Sequence, residues 1–107
     1  GNVVIKQGKT YCVTDSFTGK VTFQTWNGGG VLKVCGGTAV ISDNISLGTN
    51  SYIIVTQGGS LTVNGLQMWG TGNGVKVYAN SSLEVKGSLS TVGAFANHGT
   101  MIIRDGL

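Results

Sequence analysis

The sequence predicts an all-β fold: a right-handed parallel β-helix of about five coils, with about 22 residues and three short strands per coil. Three observations lead there. The first is composition: 19 glycines, no proline and abundant Val, Ile and Thr favour strands joined by tight turns. The second is the lack of helical periodicity, since glycines interrupt every candidate stretch. The third is a repeated phrase: GKTYCV (8–13), GGTAVI (36–41), GGSLTV (58–63), NSSLEV (80–85) and HGTMII (98–103). Each copy opens on a turn residue and carries Ser or Thr before an apolar-x-apolar tail. The copies start 28, 22, 22 and 18 residues apart.

Two further patterns complete the unit. VVIK (3–6), VLKV (31–34), YIIV (52–55) and VKVY (75–78) precede the first four copies. NISL (44–47), GLQM (65–68) and GSLS (87–90) follow the middle ones. The first copy then carries an insertion, residues 14–29. A unit of three strands cannot bury its own apolar face, but stacked units can. Successive copies run in one direction, so the sheets are parallel, and strand-crossover-strand connections favour the right hand. An antiparallel β-sandwich also has closely spaced turns, but it does not require a 22-residue period. The chain, 1–107, reads as one solenoid domain and as a piece of a larger protein.

Period-2 alternation assigns the side chains. Tyr11/Val13, Ala39/Ile41, Leu61/Val63, Leu83/Val85 and Met101/Ile103 are expected inside, as are Leu32/Val34, Ile53/Val55 and Val75/Val77. Cys12, Val40, Thr62, Glu84 and Ile102 point outward, and so do Lys33, Tyr52, Ile54, Lys76 and Tyr78. Gly37 and Gly59 are expected to supply positive φ at turns. The last repeat stops half a coil short, at RDGL (104–107), so the stack is expected to continue into a downstream domain or to meet a second copy end to end.

Charge narrows the partners. Only 10% of residues are charged, and the formal net charge is +3. The seven basic residues are dispersed, whereas nucleic-acid binding calls for a concentrated patch, so no nucleic acid is expected. No apolar run reaches the roughly 18 to 20 residues of a membrane span.

The run GKTYCV…FTGKVTF…GGGVLKVCGGTAVISDNISL resembles repetitive β-solenoid segments of large secreted and surface proteins of Bacteroidetes-type bacteria. The resemblance implies a secreted or cell-surface, adhesin-like module and carries over no catalytic residue. In an exported chain the even cysteine count suggests a Cys12–Cys35 disulfide. The repeat argues against it, because Cys12 aligns with Val40 on a different strand, unless the first coil is irregular. Neither metal nor cofactor is expected from a single histidine without Cys-x-x-Cys spacing.

His98 reads as a surface turn residue, since no acid or nucleophile is tied to it by spacing. Asp15, Asp43, Glu84 and Asp105 do not show the convergence that glycoside hydrolysis needs. GGGVLKVCGG (28–37) lacks the Gly-Lys-Ser/Thr of a phosphate loop. The outward set Lys33, Tyr52, Ile54, Lys76 and Tyr78 is the candidate binding face, with Trp26 and Trp69 in uncertain registers. The expected function is therefore a non-catalytic structural or adhesive module with a flat face for a polysaccharide or a neighbouring solenoid. The alternative is a carbohydrate-binding or carbohydrate-active β-helix.

Overall fold

The computed structural model describes residues 1–25, 28–90 and 93–105. Among them run β1 (Asn2–Lys6), β2 (Thr10–Val13), β3 (Ser16–Gln24), β4 (Val31–Cys35), β5 (Thr38–Leu47) and β6 (Tyr52–Thr56). They continue as β7 (Ser60–Met68), β8 (Gly74–Val77), β9 (Ser82–Val85), β10 (Leu89–Ser90), β11 (Ala94–Asn97) and β12 (Thr100–Ile103). Every pairing between them is parallel. One sheet has the order β2-β4-β6-β8-β11, and the other runs β1-β3-β5-β7-β9-β12 with β10 beside β7. The long strands turn a corner within the second sheet. The β5–β7 register breaks between Ile41 and Asn44 and resumes at Asn44↔Gly65, so each full coil has three strand segments. This is a β-solenoid of about five coils at a spacing of about 21 residues.

The expected interior holds in the middle coils. Ala39, Leu61 and Leu83 form one buried column through Ala39↔Leu61↔Leu83, and Ile41, Val63 and Val85 form the next. Leu32, Ile53 and Val75 line the opposite wall with Val34, Val55 and Val77, all buried. Burial thins at the ends of the stack. Tyr11, Phe17, Phe95, Met101 and Ile103 are only partly buried against the core. Tyr11 and Phe17 meet edge to face, with centroids 5.8 Å apart.

The first coil departs from the expected alignment. β2 pairs β4 through Tyr11↔Leu32 and Val13↔Val34, so TYCV belongs to the class of VLKV, not of TAVI. The true copy of TAVI is SFTG, through Ser16↔Thr38 to Gly19↔Ile41. β1 pairs Lys20–Gln24, the second half of β3. Residues 14–29 are thus no simple insertion, because β3 fills two strand positions of the coil. With this alignment the 28-residue interval disappears: β2, β4 and β6 begin at Thr10, Val31 and Tyr52, and β3, β5, β7 and β9 at Ser16, Thr38, Ser60 and Ser82. GSLS also shifts by one residue, since Leu66 pairs with Leu89.

Left-handed residues mark the corners. Gly8, Gly29, Asn50 and Gly72 all have positive φ, each two residues before a first-sheet strand. Gly36, Gly58 and Asn80 repeat the device two residues before β5, β7 and β9. The expected positive φ at Gly37 and Gly59 therefore belongs to the preceding glycine of each pair. The second glycine serves close approach: a Cβ at Gly59 would meet Val34 Cγ1 at 2.9 Å, and one at Gly37 would meet the backbone of Asp15.

Inside one corner runs a polar seam. Ser51 Oγ accepts from the Gly30 N–H at 3.2 Å and lies 3.1 Å from Thr25 Oγ1. Asn73 is buried, and its Nδ2 donates to the carbonyls of Leu47 (3.2 Å) and Trp69 (2.8 Å). Asn73→Ala removes both bonds and opens a small void, and it should cost about 1–3 kcal/mol. Urea unfolding is the measurement; an unchanged midpoint would show that the seam does not hold the corner.

Candidate functional site

The outward side of the first sheet carries the residues singled out from the sequence. Register places Cys12, Lys33, Ile54, Lys76 and Ala96 in one row across the coils. Strands in a sheet lie about 4.8 Å apart, so Lys33, Ile54 and Lys76 form a short ruled line of amine, alkyl and amine. The adjoining row holds Val31, Tyr52 and Gly74. Tyr52 does not stand free. Its ring lies over Gly74, where an added Cβ would come within 3.1 Å of a ring carbon. Lys76 Nζ sits 5.6 Å from the centre of the same ring. A cation over an aromatic face is attracted by the ring's negative quadrupole, which holds the lysine on the sheet.

Tyr78 is elsewhere. It follows β8, donates its backbone N–H to Val55 O at 2.9 Å and is 44% exposed. Tyr52 faces Gly74, four residues earlier, so the two tyrosines are about 13 Å apart along the strand direction and do not form a pair. The candidate face thus has a central lysine–isoleucine–lysine row, with one flattened ring at one end and one exposed ring at the other.

The cysteines share this face. Cys12 is opposite Lys33, and Cys35 lies two residues farther along β4. Both are free thiols. Diagonal neighbours two residues out of register sit about 7–8 Å apart, beyond the usual reach of a disulfide. The expected Cys12–Cys35 bond is absent from this arrangement, and the two residues occupy one sheet, not separate strand classes.

His98 is an exposed turn residue after β11, as expected, with its backbone N–H on Val77 O at 2.8 Å. Glu84 accepts from Arg104 Nε at 2.9 Å, and Asp43 lies 3.8 Å from Lys20 Nζ. Among the described residues no group of three or more His, Cys, Asp and Glu is placed to hold a metal ion. No described helix is long and apolar enough to cross a membrane. GGGVLKVCGG spans a corner, β4 and the next corner.

Trp26, Gly106 and Leu107 lie outside the described residues. Trp69 is well placed and was missed as a site residue. It follows β7 and is 49% exposed. Its Nε1–H donates to Ser46 Oγ at 2.8 Å, and the far edge of its ring covers Gly48. The sequence did hold a signal for both fixed rings: a glycine stands about one coil away from each, Gly74 for Tyr52 and Gly48 for Trp69. No protein-family model matches the chain, and neither does any curated protein or solved structure.

Proposed function

We propose that the chain is a non-catalytic structural and adhesive module of an exported cell-surface protein, presenting the flat outer face of its first sheet to a repetitive partner. The observation that supports this best is the row Lys33, Ile54, Lys76, one residue per coil on consecutive strands. Equivalent positions repeat at the strand spacing, so the face offers contacts at a fixed interval along the stack. A polysaccharide or the side of another solenoid can match such an interval, whereas a small molecule calls for a concave pocket. The acids lend the same support, since Glu84 and Asp43 lie beside basic side chains on the exterior.

The test is a glycan array probed with the purified protein. Lys33→Ala with Lys76→Ala should reduce array binding about tenfold or more, and Tyr78→Ala should weaken it further. Retention of full binding by the triple variant would remove this face from consideration. Release of soluble sugar from a polysaccharide by the wild-type protein would overturn the non-catalytic reading.

A further inference from the structure

A cleft lies on the other sheet, where its ladder is interrupted. β3 and β5 pair only from Ser16↔Thr38 to Gly19↔Ile41. Beyond Gly19 the strand turns its edge to β1, while Asn44–Leu47 pair with β7. Near the far ends of β1 and β3 a cleft of about 780 Å³ opens, lined by Lys6, Gln7, Phe23, Gln24, Thr25 and Trp69. That volume falls within the range of about 300–1,000 Å³ typical of small-ligand sites.

The lining has a definite chemistry. Trp69 supplies an exposed ring whose only donor is already used by Ser46 and whose edge rests on Gly48. It is a platform fixed before any ligand arrives, so stacking on it costs little side-chain entropy. Phe23 is half-buried, packed against the core beside the register partner Ile5. Lys6 and Gln24 are register partners, which sets an amine and an amide side by side. Gln7 lies over Gly28, where a Cβ would meet its amide. Among the described lining residues Lys6 is the one that carries a charge, and none of them is a carboxylate.

We propose that this cleft binds a saccharide unit carrying a carboxylate, a uronic acid within an oligosaccharide. An aromatic face suits the C–H face of a pyranose ring. Neutral amides suit its hydroxyls, since each both donates and accepts. The lone ammonium suits a carboxylate. The overall charge of +3 favours the approach of an acidic polymer. This site shares no residue with the flat face of the first sheet, and either can fail alone.

The probes are tetragalacturonate and its fully methyl-esterified form, titrated into the purified protein by calorimetry. They differ in charge but not in ring. Wild type should bind the acid about fivefold more tightly than the ester, the scale of one exposed ion pair. Lys6→Gln should bring the two to equal affinity and keep the ester binding of wild type. Trp69→Ala should weaken both by about tenfold or more. Trp69→Phe keeps a ring and should fall between, which guards against misfolding of the alanine variant. Tyr78→Ala should change nothing. No saturable binding of either probe to wild type overturns the proposal. So does equal affinity for acid and ester, or unchanged binding in Trp69→Ala.

Discussion

Leu61→Asp should abolish cooperative folding. Leu61 is 1% exposed and sits between Ala39 and Leu83 in the middle of the stack. The substitution removes the burial of a leucine and leaves a carboxylate with no partner in an apolar column. Losing the side chain alone costs about 2–5 kcal/mol, and an unpaired buried polar group adds several more. Whole domains are stable by only about 5–15 kcal/mol, so the sum is comparable to all of it. The control is Thr62→Lys, one residue on. Thr62 points outward between Val40 and Glu84, where a cation meets a carboxylate. It should shift stability by less than about 1 kcal/mol. Circular dichroism and urea unfolding of the pair measure it. Similar losses at both positions would show that inside and outside do not alternate here.

The second large effect is expected at Gly29. Its φ is +69°, and an added Cβ would run into the backbone carbonyl of Asn50, one coil on. Gly29→Ala therefore combines a left-handed penalty of about 1–2 kcal/mol with a displaced corner, and about 3 kcal/mol or more in total is expected. Gly58 separates the two terms. Its φ is +78°, but the nearest atom to its Cβ, the carbonyl oxygen of Asn80, is 4.0 Å away. Gly58→Ala should cost only the conformational part, about 1–2 kcal/mol. Gly58→Asn should cost less, because Asn80 already holds the same corner position at φ 64°. Thermal melting of the three variants reads the order; equal losses at Gly29 and Gly58 would mean that crowding between coils contributes nothing.

The interior was legible in the sequence because two signals agree on it. Alternation sets which side chains go in, and the 22-residue repeat stacks them in columns, so Leu61 and Val63 could be placed from either. The first coil was not legible, because GKT before an apolar-x-apolar tail fits both kinds of corner. Only the hydrogen-bonded ladder shows that Tyr11 faces Leu32. The glycine pairs fail for a similar reason. Gly36 and Gly37 are one letter repeated, yet one needs a left-handed φ and the other needs room beside Asp15. On the candidate face, Lys33, Ile54 and Lys76 were placed correctly as neighbours. Tyr52 and Tyr78 are on adjacent coils as expected, but the distance between them along the strands depends on register, and a slip by an even number of residues leaves alternation intact. Trp69 sits past the end of a strand, and its orientation comes from Ser46 and Gly48 on the preceding coil.

The corner columns have a consequence for how such a chain can change length. Gly36, Gly58 and Asn80 recur at a fixed step of 22 residues and do the same work at each step. Each corner leans on the equivalent corner of the next coil, as Gly29 does on Asn50, and each interior layer meets a layer much like itself. Excising or duplicating a segment of that step size rejoins like with like, and the seam falls between equivalent neighbours. Genetic slippage of one whole unit would then alter reach by a single strand spacing, about 4.8 Å, while slippage by a fraction of a unit would reverse faces or misplace a corner. Reach in this architecture is therefore quantised, and selection can tune it in integer steps.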